Sequence, residues 1–346
     1  MKQVLRDRRT CRYGVLLLNM GGPRNPDEIV EFLLRLFSDP FIMNFPWLIR
    51  KPLAYIMALG RKRKALEQYA QIGNKSPVNE ETEKQSRKLE EILGLPVEFA
   101  MRYTTPNVKE AQQKLIERGV NRLVVFPLYP HYSFSTTRSS LEDFLDNWDE
   151  NLPYRIVESH YNYPPYIDAL SEMLLEALEN LDPAYKTGIL FSAHSIPLFQ
   201  VSTGDPYVEH VKTTVSLVCP ANEFPHPVVL AFQGSMGPVR WQGPSLLEGL
   251  RELRSNGVEQ LIVHPISFSC ENLETLYNLD VEFKKICENE GIKKFIRIPA
   301  PGMNFSYLYA VASRIKKIIT YWEQPYMPLG KKEKETIKDK IVIENS

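Results

Sequence analysis

The sequence predicts an α/β protein built twice, each half a parallel sheet flanked by helices, with a cleft between the halves. Three observations lead there. Short apolar runs alternate with amphipathic helical stretches along the chain, the pattern of strand–helix–strand crossovers. The plan of the first half recurs in the second. The apolar runs also break abruptly into small residues, glycine and proline, as buried parallel strands do at a functional carboxyl edge.

Composition bounds the rest. Of 346 residues 43% are hydrophobic and 24% charged, a globular balance that suits two compact units or one large one. Lys+Arg and Asp+Glu both number 42, so there is no basic excess to make nucleic acid a partner. Cys11, Cys219, Cys270 and Cys287 are scattered without CxxC spacing, which argues against a zinc knuckle or disulfide framework and for a reducing compartment. The basic start, Met1 to Arg12, leads into no secretory apolar segment, and Asp7 counts against a transit peptide. No run reaches the roughly 20 apolar residues of a bilayer span. The expected location is the cytoplasm, with attachment to a membrane surface as a further option.

In order, Gly14 to Leu18 reads as the first strand, followed by Asn19-Met20-Gly21-Gly22-Pro23. A helix is expected from about Asp27 to Leu36, with Asn25-Pro26 as its start signal. Pro40 to Ile49 is apolar but broken by two prolines and has neither helical nor alternating period. It reads as an irregular lip, either folded onto the core or left as a ligand or membrane surface through Phe41 to Ile49. Basic residues flank it at Arg50, Lys51 and Arg61 to Lys64. Helical pattern resumes at Ala65 to Ala70, turns at Ile72 to Pro77, and continues as an amphipathic helix from Glu80 to Leu93. Val97 to Met101 is a second strand. Val108 to Arg118 is a helix closed by Gly119, and Leu123 to Phe126 a third strand. The hydroxyl-rich Ser133 to Ser140 leads into another helix.

The second half repeats this plan. Gly188-Ile-Leu-Phe…His194…Pro197 parallels Gly14-Val-Leu-Leu…Met20…Pro23 at an offset of 188 − 14 = 174. Val228 to Ala231 parallels Val97 to Ala100, and Gly257 to Ile266 matches Gly119 to Leu128 at nearly every apolar place. Repeats of this length are duplicated domains. His194 then stands where Met20 stands in the first half, and two facing sheets would bring both to one cleft. Gly14 to Ala100 spans 86 residues against 43 for Gly188 to Ala231, so the first half carries an insertion holding the lip and the basic segment. The expected units are 12–165, 166–303, a C-terminal helix at 304–322 packing back on the first unit, and a polar tail at 323–346. Leu308, Val311, Ile315, Ile318 and Ile319 share one face of that helix.

Three stretches carry chemistry. The first ends in His194, which is either a hydrogen-bonded structural histidine or a functional one. In the second, a helix starting near Cys270 would line Glu271, Glu274, Asn278 and Glu282 along one face. Such a row is either first-turn stabilisation by acidic groups or a relay for protons or a hydrated cation. The third, Phe232 to Pro244, is a glycine- and proline-rich loop presenting Trp241, as a plug onto its own domain or a stacking surface for a planar ligand.

Read together, Leu18 to Pro23, Glu67-Gln-Tyr…Gly73…Ser76-Pro77, Met101-Arg-Tyr103, Tyr132 to Thr137, Phe191 to Pro197, Gly204 to Tyr207, Gly237-Pro…Trp241…Gly243-Pro244 and Leu273 to Tyr277 resemble the ferrochelatase family, over roughly Tyr13 to Trp322. The resemblance implies two Rossmann-like (chelatase) domains with a porphyrin cleft between them. It also implies a lyase that inserts Fe2+ into protoporphyrin IX to form protohaem with release of two protons, the terminal step of haem synthesis. His194 and Glu274 fall on the family's catalytic, iron-contacting pair. Arg61, Tyr69 and Ser76 fall where the macrocycle and its propionates are held, and Met20 and Trp241 on the pocket walls. Iron is the substrate, and with no cysteine after Cys287 the cluster-binding set of some members is absent, so no iron–sulfur centre is expected.

The chain departs from the family at Asn272, where many relatives carry histidine, and at Asn278, where an acidic residue is usual, so the relay is less charged. Met20 favours protoporphyrin over the coproporphyrin branch, which has tyrosine there. Competing readings are a chelatase for another tetrapyrrole or metal, such as cobalt, and a non-catalytic tetrapyrrole-binding protein, which would have no use for a His194–Glu274 pair.

Overall fold

The computed structural model describes residues 12–148, 152–220, 224–235, 237 and 239–323; Cys11 and the expected tail beyond 323 lie outside them. Among these residues two four-stranded parallel sheets repeat one topology. In the first, β1 (Tyr13–Asn19), β2 (Val97–Met101), β3 (Arg122–Pro127) and β4 (Tyr154–Ile156) lie in the order β2-β1-β3-β4. In the second, β5 (Thr187–His194), β6 (Val228–Gln233), β7 (Gln260–His264) and β8 (Lys294–Arg297) lie in the order β6-β5-β7-β8. The chain leaves β1 and β5 to one side and returns to the other. The carboxyl ends of these two strands are therefore topological switch points, where open sheets leave a crevice.

Side-chain alternation assigns the two faces of each sheet. Val15 and Leu17 of β1 and Ile189 and Phe191 of β5 enter one continuous core, shared with α6 (Pro164–Glu179), α8 (Tyr207–Val218) and α11 (Phe305–Glu323). Leu16 and Leu18 face the opposite way, under α4 (Val108–Glu117) and α5 (Ser139–Asn147). Leu190 does the same in the second sheet, under α9 (Leu246–Ser255) and a π-helix, Glu274–Phe283, which runs on into α10 (Lys284–Asn289). Because both sheets bury a face in the shared layer, the two halves are fixed relative to each other by apolar burial. α11 packs against α6, α3 (Val78–Leu93) and β3, so the last helix lies on the first sheet. Its buried residues Leu308, Val311, Ile315 and Ile318 are four of the five read as one face.

The insertion in the first half forms its own small core. α1 (Ile29–Phe37) follows a single 3-10 turn capped by the Asn25 side chain, and packs on α2 (Trp47–Ala70). Here the structure differs from the expectation. Only residues 40–46 are irregular; from Trp47 the apolar stretch is already helix, continuous to Ala70. Pro46 is the residue before the first turn, where a fixed φ suits a helix start, and Pro52 is held inside the helix. These two prolines erased the period by which a helix is recognised. The lip is anchored by Asp39, whose buried carboxylate accepts hydrogen bonds from Tyr103 (2.9 Å) and Ser139 (2.5 Å) and pairs with Arg102 at 2.9 Å. The backbone N–H groups of Ile42 and Met43 bond to the Asp39 carbonyl. Across the cleft, Gln200 of α7 (Leu198–Ser202) donates to the Phe41 carbonyl at 3.1 Å.

Candidate active site

His194 is the last residue of β5, and ladder pairing fixes its backbone beside Gln233. Its Nδ1 lies 2.7 Å from the Ser195 carbonyl oxygen, and its backbone N–H donates to Ser267 Oγ at 3.1 Å. A carbonyl only accepts, so Nδ1 carries a hydrogen, and in the neutral ring the lone pair sits on Nε2. That nitrogen faces the Glu274 carboxylate, with 4.0 Å between Nε2 and Oε1. The imidazole side chain is 41% exposed and the carboxylate 28%, so both open to the cleft. His131, His160 and His264 are buried instead, which separates His194 from the structural histidines of the fold.

Glu274 owes its position to the first turn of the π-helix. The expected helix from Cys270, with Glu271 and Glu274 on one face, is not what forms. Helical structure begins at Leu273 and winds with π rather than α periodicity, so the i, i+3, i+7 alignment does not apply. Glu271 turns away to Arg297 (2.8 Å) and the Ala300 N–H (3.0 Å). Asn272 acts as a cap, its Oδ1 accepting the Thr275 N–H at 2.9 Å while Thr275 Oγ accepts the Asn272 N–H at 3.0 Å. Asn272 is thereby committed to holding the helix start.

Tyr69 is the insertion's contribution to the pair. It is buried, and its burial together with the charge of Glu274 pushes the phenol well above its ordinary range, leaving it a hydrogen donor at neutral pH. Arg61 lies eight residues earlier on α2 (69 − 61 = 8), a spacing that shares a helix face. Met20 is half-buried and packs on the insertion core with Leu273, the residue before Glu274. Trp241 is half-buried in a segment zipped to the one after His194. Leu198 N–H donates to the Arg240 carbonyl and Gln242 N–H to the Ile196 carbonyl, both at 2.9 Å.

Ser76 is placed differently from its neighbours. It is only 4% exposed and packs so tightly under Gly22 that a Cβ there would stand 2.4 Å from it, so it supports the Met20–Pro23 turn. Two residues were missed by sequence reasoning. Gly234, with φ +88°, lies directly over the His194 ring, and Arg297 ties the π-helix. The glycine carried a signal, a turn after a strand; the arginine carried none.

Residues 12–318 match the ferrochelatase family. The chain belongs to that family. It is 40% identical over 302 residues to the ferrochelatase of Cyanothece sp., covering 84% of this chain and 78% of that one. It is 37% identical over 319 residues to the ferrochelatase of Thermosynechococcus vestitus, covering 88% and 82%. Among solved structures, SirB from Bacillus subtilis with Fe3+ superposes with a TM-score of 0.54 at 12% identity, covering 89% of this chain and 95% of that one, a likeness of fold. As a ferrochelatase family member the chain is a lyase that inserts metal into a porphyrin. Among the described residues no group of three or more histidine, cysteine or acidic side chains could hold a metal ion.

Proposed function

We propose that this ferrochelatase inserts Fe2+ into protoporphyrin IX, with His194 and Glu274 as the reacting pair. The observation that carries the reading is the bare Nε2 of His194 held 4.0 Å from Glu274 Oε1. Two pyrrole N–H protons must leave as iron enters, and a neutral imidazole within reach can accept them while a carboxylate passes charge onward to water. Both atoms can also reach one ion, since two metal–ligand bonds of about 2.0–2.2 Å sum to slightly more than their separation. Gripping the macrocycle off-plane would present its nitrogen lone pairs to the metal, with binding energy supplying the distortion. In this reading Tyr69, Met20 and Trp241 wall the macrocycle and Arg61 meets its propionates, a guanidinium being suited to carboxylates. Ser76 acts through the turn it supports.

The test is anaerobic incubation of the purified protein with protoporphyrin IX or coproporphyrin III and Fe2+ or Co2+, following the Soret band. Formation of protohaem faster than ferrous coproporphyrin is expected. No metalloporphyrin above background would end the reading.

The lip supports a second element, peripheral contact with an anionic membrane from a cytoplasmic location. Phe45, Trp47, Leu48, Ile49, Tyr55, Ile56 and Leu59 are exposed at the start of α2, beside Arg50, Lys51 and Lys62 to Lys64. No helix among the described residues is long and apolar enough to cross a membrane, so contact would be with the surface. Flotation with anionic liposomes tests it; protein left at the bottom of the gradient would exclude it.

A further inference from the structure

One guanidinium ties the π-helix to the segment that enters it. Arg297, at the end of β8, bonds Asp280 through Nε (2.6 Å) and Nη2 (2.8 Å), a two-pronged pair. Its Nη1 bonds Glu271 Oε1 at 2.8 Å, and the side chain is only 12% exposed. Glu271 passes the restraint into the helix start through Thr275, whose hydroxyl donates to Oε2 and whose N–H is capped by Asn272. Glu274 lies between the two clamped acids, adjacent to Thr275. Glu271 stands in the non-helical segment three positions before the π-helix and Asp280 within it, so one arginine ties the approach to the helix to its second turn.

We infer that Arg297 is a positioning residue for metal insertion: by gripping Glu271 and Asp280 together it sets the register of the π-helix and so the place of the Glu274 carboxylate opposite His194. The inference rests on the reading of His194 and Glu274 as the reacting pair. It assigns Glu271 to the clamp, both of its oxygens being spent on Arg297, Ala300 and Thr275. A planar fork is needed, because a lysine ammonium cannot meet two carboxylates with the same geometry.

The test compares Arg297→Met, Arg297→Lys and Asp280→Asn with the parent, per folded molecule by circular dichroism and gel filtration. Porphyrin binding is read by quenching of protein fluorescence, and insertion of Fe2+ into protoporphyrin IX by the Soret band. The expected result for Arg297→Met is a kcat lowered roughly tenfold and a KM for Fe2+ raised several-fold, with porphyrin binding within twofold of the parent, because α2 and its macrocycle contacts are untouched. Arg297→Lys should recover part of the loss, and Asp280→Asn should shift the same two quantities less. Should Arg297→Met fail to fold, Asp280→Asn decides. Unchanged kcat and metal KM in the variants that fold, with only a lowered melting temperature, would overturn the inference. Glu274→Gln is run alongside: if it too keeps parental turnover, the reading of the pair has failed, whereas its loss with a normal Arg297→Met fails the clamp alone.

Discussion

Gly234 lies so close over His194 that a Cβ added to the glycine would stand 2.7 Å from the imidazole Nε2. The φ of +88° independently reserves the position for glycine. Gly234→Ala should therefore displace the ring proposed to accept the pyrrole protons. An ångström-scale misplacement is expected to lower kcat by about 100-fold, with a backbone cost of about 1–2 kcal/mol. Steady-state kinetics with a thermal melt checks both. Parental kcat in a folded Gly234→Ala would show that the ring does not need its roof.

Asp39 holds the lip through a buried network. Its side chain is fully buried, and burial with its charge keeps the Tyr103 phenol far above the usual range, so that hydroxyl remains a donor. Removing the carboxylate leaves Arg102 with a longer ion pair to Asp143, at 3.4 Å, and its bond to Ser139 Oγ, and takes the carboxylate acceptor from Tyr103 and Ser139. Asp39→Ala should cost about 3–5 kcal/mol, read as a lowered urea midpoint at unchanged m-value. A loss under 1 kcal/mol would mean that the network is replaced by water.

Histidines taken wholly or partly out of water, His131 among them, link stability to pH. Burial holds His264 and His210 at about 4 and His160 at about 3. Their unfolded values lie near the ordinary ~6.5, so the unfolded chain binds more protons below that pH. Stability from these groups is complete above about pH 6.5 and falls as pH drops toward 4, by about 1.4 kcal/mol per pH unit for each fully buried ring. Urea melts at pH 7.5, 6 and 5 should show this. Among the described residues His160 has no hydrogen-bond partner on either nitrogen, and it lies tilted against Phe126 and edge-on to Tyr166. His160→Phe should accordingly flatten the acid slope without loss at pH 7.5; an unchanged slope would assign the titration elsewhere.

How much of this was legible depended on periodicity. The duplicated sheets were readable because Gly14 to Leu18 and Gly188 to Phe191 are unbroken apolar runs, each starting six positions before its counterpart at the edge, Met20 or His194 (20 − 14 = 194 − 188 = 6). His194 and Glu274 were readable as residue types, and the repeat placed His194 at a strand's carboxyl edge. What escaped was set by local winding and by packing at a distance. Pro46 and Pro52 hid the first turns of α2. The π-helix broke the spacing that put Glu271 beside Glu274, because sequence carries no period for an i→i+5 ladder formed within an otherwise helical run. Arg297 is 26 residues from Glu271 (297 − 271 = 26), and only the fold brings them together.

The central claim is that the Nε2 lone pair of His194, facing Glu274 at 4.0 Å, takes the pyrrole protons as the metal enters. The most direct measurement is single-turnover insertion of Fe2+ into bound protoporphyrin IX by the parent, His194→Ala and Glu274→Gln, with porphyrin binding measured separately by fluorescence quenching. The account predicts bound porphyrin in all three, with the insertion rate lowered by at least about 100-fold in His194→Ala and strongly reduced in Glu274→Gln. Insertion by His194→Ala at the parental rate would contradict it.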